Sequence, residues 1–340
     1  MNPSSTIITG AGGHVGACLV RMLLDRGHTV AAIDLDANPP GLAGLDITLH
    51  QGDIRDAQFL KSVFSPGATL FHLASVISTT GDKGGLVSSV NVDGARIVAE
   101  TALASNIKRM VHFSSIHAYD IDTHGTPVTE NTRLATHNSH SAYNLSKARG
   151  QQAVLDVVKD GLDAVVVNPT GIIGPYDYRA SRMGKFFRAV ARGKIGKVGP
   201  GGFNWVDVRD VASGAISASD KGRRGQCYIL GGNWATNVEL GSICQRITGT
   251  KVPTKPIPMW LLEGIYFCAP LMAALGKRPP VTREALDALR ANPDMSHNKA
   301  TTELGYSPRH VHETLNDIFD WIQTEDILKK DRAQKATRTT

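Results

Sequence analysis

The sequence predicts an α/β protein: a doubly wound parallel sheet flanked by helices, with a smaller, mostly helical C-terminal substrate domain. Three observations predict it. Short apolar runs alternate with longer amphipathic patterns through the first half of the 340 residues. One run, Ala164-Val-Val-Val, is continuously apolar, as a parallel strand covered on both faces must be. The first run ends in TGAGGHVG (Thr9 to Gly16), four glycines in eight residues, where a strand can turn tightly into a helix.

Element by element, strands are expected at Thr6–Thr9, Val30–Asp34, Ile47–Gln51, Thr69–Leu73, Met110–Ser114, Ala164–Asn168 and Cys227–Leu230. Helices are expected near Val15–Arg26, Ala57–Phe64, Val90–Ala104 and Ala142–Lys159. From Gly171 the alternation breaks up. Gly- and Pro-rich stretches flank a basic helix near Met183–Ala191, and then come helices at Asn237–Ile247 (capped by Asn237), Met259–Leu275, Thr282–Arg290 and Val311–Ile322. The expected division is 1–170 and 205–232 for a dinucleotide-binding domain and 171–204 and 233–325 for a substrate cap. Residues 326–340 read as a disordered basic tail.

Composition narrows the class. Hydrophobic residues at 41% and charged residues at 20% fit a globular chain with a sizeable core. The net charge of +6 is diffuse except at Lys329, Lys330, Arg332, Lys335 and Arg338, and no stretch interleaves arginines with aromatics, so no nucleic-acid partner is expected. Cys18, Cys227, Cys244 and Cys268 form no CxxC pair, which argues for a reducing, cytoplasmic setting and against a zinc site. No signal peptide is visible. Ile257–Leu275 is apolar but holds Pro258, Glu263 and Pro270; a packed or interfacial helix fits it better than a membrane span.

The glycine turn reads as Gly10-x-x-Gly13-x-x-Gly16 between a strand and a helix whose first N–H groups could face an anion, a Rossmann-type unit. Asp34 ends the next strand 18 positions beyond Gly16, the place of a carboxylate that accepts adenosine ribose hydroxyls. It would repel a 2′-phosphate, and no Arg or Lys appears from Leu35 to Asn38 to receive one, so NAD is favoured over NADP. Asp53 could accept the adenine amino proton or cap the helix that follows it.

Tyr143 and Lys147 stand four apart on an expected helix and share a face. Phe113-Ser-Ser-Ile-His-Ala-Tyr follows a strand and places serines at the sheet's carboxyl edge. A tyrosine titrating at about 10 is a poor base at neutral pH unless an ammonium group supports its phenolate. A serine hydroxyl would hold the substrate oxygen.

At these residues the chain resembles the extended short-chain dehydrogenases/reductases. The likeness runs from Thr6 to Ile322 through TGAGGHVG, GDIRD (52–56), FHLAS (71–75), NVDG (91–94), HFSSIHAYD (112–120), YNLSK (143–147), NPTGIIGP (168–175) and LGYSP (304–308). It implies Ser115, Tyr143 and Lys147 as the catalytic set. It also implies a cofactor bordered by His14, Val15, Ile54, Leu73, Ala74, Ser75 and Pro169, with Lys147 on the nicotinamide ribose, and a homodimer built on the helices near Val90–Ala104 and Ala142–Lys159.

NPTGIIGP and GGFNWVDVRDVASG are similar to dihydroflavonol reductases and hydroxysteroid dehydrogenases. Nucleotide-sugar epimerases typically carry an arginine for the diphosphate just before the segment Asn204–Asp210, where this chain has Phe203. The expected function is therefore interconversion of a secondary alcohol and a ketone on an apolar small molecule. The alternatives are a nucleotide-sugar epimerase or dehydratase, with Arg179, Arg182, Lys185 and Arg188 gripping the diphosphate, and a non-catalytic dinucleotide sensor. His117, Tyr176, Met183, Phe203 and Trp205 are the candidate substrate residues. His112, His124, His137 and His140 read as loop histidines rather than metal ligands. Trp260, Tyr266 and Phe267 could be buried as ordinary core.

Overall fold

The computed structural model describes residues 5–78, 81–121, 125–136, 140–195, 197–253, 255–267, 286 and 294–329. Seven parallel strands form the main sheet: β1 (Ser5–Thr9), β2 (Thr29–Asp34), β3 (Thr48–Gln51), β4 (Thr69–His72), β5 (Arg109–Phe113), β6 (Ala164–Pro169) and β9 (Cys227–Leu230). Their order is β3-β2-β1-β4-β5-β6-β9, so the winding reverses between β1 and β4. The expected strands all appear, with ends shifted by a residue or so. β6 is buried at every position, as its continuous apolar run predicts.

Helices α1 (His14–Leu24) and α7 (Val208–Lys221) cover one face. The other carries α2 (Ala57–Val63), the continuous stretch of α3 (Leu86–Ser88), a π-helical segment (Ser89–Gly94) and α4 (Ala95–Ala104), and α5 (Ala142–Lys159). In the cap, α6 (Arg182–Ala191), α8 (Asn237–Thr248) and α11 (Val311–Thr324) share a separate apolar core, and α9 (Met259–Phe267) follows α8. α10 (Asn298–Leu304) lies within the stretch expected for the cap, yet Ala300 and Leu304 bury it in the main-sheet core beside α7.

Several expectations change. α7 and α10 are helices that the apolar pattern did not signal. The cap also contains a three-stranded sheet, β10-β8-β7, from Asn233–Thr236, Gly202–Asp207 and Gly171–Ile173. β8 pairs parallel to β7 and antiparallel to β10. β7 and β10 are only three and four residues long, and β8 mixes buried polar and apolar residues (Asn204, Trp205, Val206, Asp207), so none shows an apolar run. Thr236, not Asn237, caps α8, because Thr236 and Glu239 form a reciprocal capping box. Asp56, not Asp53, caps α2. Trp260 and Phe267 are exposed rather than core residues, and Ile327 of the expected tail is buried. The expected helix at Thr282–Arg290 and the end of Met259–Leu275 lie outside the described residues.

The segment Trp205-Val-Asp-Val-Arg-Asp ties the two regions together. The fully buried Asp207 accepts from Arg209, which also reaches Asp317 on α11, while Arg309 pairs with Asp210. Burial opposes ionisation of Asp207, yet the Arg209 hydrogen bond and charge hold its carboxyl below the usual range. Removing one partner of such a network strands the others, so Asp207→Ala should cost about 3–5 kcal/mol in urea unfolding. A loss under about 1 kcal/mol would show that the network is not a structural clamp.

Candidate active site

The sheet sorts the candidate residues before any side chain is considered. Gly10, Asp34, Leu73, Ser114 and Pro169 stand at or just beyond the carboxyl ends of β1, β2, β4, β5 and β6, all on one edge.

At the β1 exit, Gly10 has φ +69°, and a Cβ there would lie 2.7 Å from the Ala74 backbone nitrogen. A Cβ on Gly16 would stand 2.5 Å from the Ala11 carbonyl oxygen. Gly13 precedes α1 and contributes no side chain to its N–H groups. The result is a cradle that any side chain would fill, with helix donors facing outward, and it fits a pyrophosphate. His14 and Val15 open α1; the His14 ring bonds the Pro175 carbonyl at 2.9 Å, and Val15 packs on the core. The β4 exit is stitched to β1 by Leu73 N–H to the Thr9 carbonyl and Ala74 N–H to Thr9 Oγ1. Ser75 follows them, beyond the end of β4.

Asp34 is nearly buried. Its Oδ2 accepts from Gly12 N–H at 2.8 Å, and its Oδ1 from Asp36 N–H and Arg179 Nη2, each at 3.0 Å. Asp53 is clamped by Arg55, whose hydrogen bonds lower its carboxyl's pKa. Beside it, the buried Ile54 packs where a Cβ on Gly94 would collide.

The catalytic candidates converge. Tyr143 stands in the first turn of α5, whose N-cap Ser141 accepts from Asn144 N–H at 3.1 Å, and Lys147 lies one turn on. Ser115 begins the short turn Ile116–Ala118, and its Oγ accepts from His117 N–H at 3.2 Å. Burial pushes Tyr143 up to about 12, and the Ser115 hydroxyl draws it partly back. Burial lowers Lys147 to about 8. Lys147 Nζ donates to the Phe113 carbonyl at 3.0 Å, tying α5 to the end of β5.

Sequence reasoning missed the groups that hold this set. Asn168, fully buried, donates to the Ser115 carbonyl at 3.0 Å and to Gln151 Oε1 at 2.8 Å, and accepts from Tyr119. Asn91 accepts from Val76 N–H and donates to the Val76 carbonyl and Ser146 Oγ, pinning the β4 exit to α5. Both residues open motifs already visible, NPTG and NVDG, yet nothing in the residues alone states that their amides point inward. Beneath the site, His72 bonds Thr9 Oγ1 at 2.7 Å and stacks on His112 at 5.2 Å.

The substrate candidates divide. The His117 ring lies 5.9 Å from Tyr143 and 5.8 Å from Phe203, and Phe203 lies 5.7 Å from Trp205. Burial lowers His117 to about 4, and its Nδ1 is buried without a partner among the described residues. Trp205 is buried and donates to the Ala235 carbonyl. Tyr176 instead packs on Trp321 and under Arg21. Met183 joins the cap core and lines a small cavity of about 10 Å³ with His14 and Trp321. Among the described residues no cluster could hold a metal, and no helix is long and apolar enough to cross a membrane. His140 lies 3.8 Å from Asp120; His124 and His137 lie outside the described residues.

A family model described as the NAD dependent epimerase/dehydratase family matches residues 6–231. The chain belongs to this family. NAD is its cofactor, and the protein is an enzyme of the extended short-chain dehydrogenase/reductase type. It is 31% identical to sterol demethylase protein B of Methylococcus capsulatus, over 95% of this chain and all of that one. A putative dihydroflavonol 4-reductase of Synechocystis is also 31% identical, over 95% of each. The crystal structure of gox2253 superposes with a TM-score of 0.83 at 29% identity, over 95% of this chain and 99% of that one.

If Asn168 positions Ser115, Asn168→Ala should lower turnover at least tenfold (about 1.4 kcal/mol) and leave NADH affinity within about threefold. Unchanged turnover in a folded variant would show that Ser115 holds its place without it.

Proposed function

We propose that this family member is a net oxidoreductase that interconverts a secondary alcohol and a ketone on a largely apolar, ring-bearing small molecule. The observation that carries the reading is the aromatic run His117–Phe203–Trp205 beside Tyr143, at the position where an epimerase needs a diphosphate ligand. Apolar surface of this kind binds rings by excluding water, at about 25 cal/mol per Å² buried. It offers a diphosphate nothing for its lost hydration. Two of the four basic residues that could replace the missing arginine are placed elsewhere: Arg179 lies beside Asp34 and Asp36 at the β2 end of the crevice, and the buried Arg188 donates to the Asp177 and Tyr178 carbonyls. The names of the sterol and flavonol relatives agree with an apolar substrate.

When bound, the cofactor would supply the hydride as NADH in reduction and accept it as NAD+ in oxidation. Ser115 holds the substrate oxygen: its Oγ accepts from His117 N–H, and its own O–H donates to that oxygen. Tyr143, held protonated at pH 7 by burial, gives that oxygen a proton in reduction; in oxidation it first loses its own proton to solvent and takes the alcohol's as the phenolate. Lys147 carries positive charge beneath it, and Phe203 keeps water from the face of the site. Asp34, Asp53 and Ile54 border the adenosine half; Leu73, Ala74, Ser75 and Pro169 line the rest of the cofactor. Tyr176 and Met183 shape the cap behind the pocket. A homodimer through α4 and α5 and a reducing, cytoplasmic location, suited to the free thiols of Cys18, Cys227 and Cys244, complete the proposal.

Screening steroid, flavonoid and aryl ketones or alcohols with NAD(H) should find turnover, while UDP-sugars neither react nor raise the Tm. Phe203→Ala should raise KM at least fivefold, about 1 kcal/mol of lost apolar contact. Saturable micromolar binding of a UDP-sugar would favour the epimerase instead. Tyr143→Phe should cut turnover about a hundredfold or more with NADH affinity nearly intact.

Ketone reduction should also be level from about pH 6 to 7.5 and fall above about 8, where Lys147 loses its proton while Tyr143 keeps its own. A break near pH 6.5 would contradict this, because burial has moved His117 well below that range.

A further inference from the structure

The residues that follow Asp34 contain no cation, but the fold brings one to the same place. Arg179, 145 residues further along the chain, puts Nη2 at 3.0 Å from Asp34 Oδ1 and 3.2 Å from Asp36 Oδ2. The same nitrogen is 3.1 Å from the point where a Cβ on Gly12 would stand. The guanidinium therefore lies over the carboxylate that takes the ribose hydroxyls, beside the turn that takes the pyrophosphate. Its side chain is 44% exposed, so a ligand can reach it.

This placement is built. Arg179 stands between Tyr176 and Ala180, two non-glycine residues with φ of +69° and +52°. Such conformations cost about 1 kcal/mol or more each and persist only where surroundings enforce them. Here Asp177 accepts from Ser181 N–H through both oxygens, and the buried Arg188 donates to two carbonyls of the loop. On the other side, His14 bonds the Pro175 carbonyl, and Arg21 lies over the rings of Tyr176 and Tyr178. The cap loop is thus moored to α1 of the cofactor domain with its guanidinium aimed at Asp34.

We propose that Arg179 is a second specificity residue at the adenosine ribose, able to receive the 2′-phosphate of NADP(H). Discrimination then depends on the contest between Asp34, which repels that phosphate, and Arg179, whose planar fork matches phosphate oxygens. NAD remains preferred because the 2′-phosphate must displace Arg179 from its carboxylate partners. The inference rests on the dinucleotide reading of the glycine turn.

Fluorescence titration of NADH and NADPH into the wild type, Arg179→Ala, Arg179→Lys, Asp34→Asn and Asp34→Asn/Arg179→Ala tests it without any substrate. Arg179→Ala should weaken NADPH about tenfold and NADH less than about threefold, while Arg179→Lys, which keeps the charge but not the fork, should recover only part of the NADPH affinity lost in Arg179→Ala. Asp34→Asn should gain NADPH affinity about tenfold, and the double variant should lose that gain. Equal losses for both cofactors in Arg179→Ala, or a gain that survives in the double variant, would overturn the proposal and leave Arg179 as a loop anchor. A wild type that binds neither dinucleotide would instead remove the cofactor reading beneath it.

Discussion

The structure depends on how closely the exits of β1 and β4 approach each other. Gly10 turns out of β1 so near the Ala74 backbone that a single methyl group would separate the two strands' exits. Thr9 closes the gap from below, its carbonyl and hydroxyl accepting from Leu73 and Ala74 and its hydroxyl also meeting His72. Because the winding reverses between these strands, this contact floors the crevice where a dinucleotide must lie. Gly10 serves that approach, and Gly16 the tight packing of α1 on the turn that precedes it.

The chemistry is fastened to the same edge by buried amides. Asn91 ties the β4 exit to α5, and Asn168 ties Ser115 to α5 through Gln151. Lys147 adds a third link from α5 to the end of β5. Ser115 and Tyr143, on elements far apart in the chain, thus share one rigid frame. Such a frame suits the catalytic role proposed for the pair, since a small misplacement of a reacting group forfeits much of its rate advantage. The price is polar burial, which is tolerated because each amide's hydrogen-bonding groups find partners.

Much of this was legible in the residues. Parallel strands announce themselves by apolar runs, the glycine turn by its spacing, and Tyr143 and Lys147 by their interval on a helix. What was not legible depends on distance in the chain. The reach of Arg179 across the crevice to Asp34 leaves no mark near either residue, so counting cations between Leu35 and Asn38 missed it. α7 escaped notice because its outward face interrupts a buried one with Arg209, Ser213 and Ser217, and its start is set by Asp207 joining an ion network. Tyr176 and Met183 were grouped with the substrate wall by their place between β–α units, yet their neighbours are Arg21, Trp321 and His14. Membership of the family and the sheet could be read from one dimension; the sides of a loop could not.

The most direct test of net redox chemistry follows the hydride. NADH carrying deuterium at the transferable position would be turned over with an apolar ketone accepted by the enzyme, and the product analysed by mass spectrometry. One deuterium on the new carbinol carbon, with free NAD released in equal amount, is the expected result. Deuterium retained on tightly held cofactor, together with epimerisation of a nucleotide sugar, would contradict it.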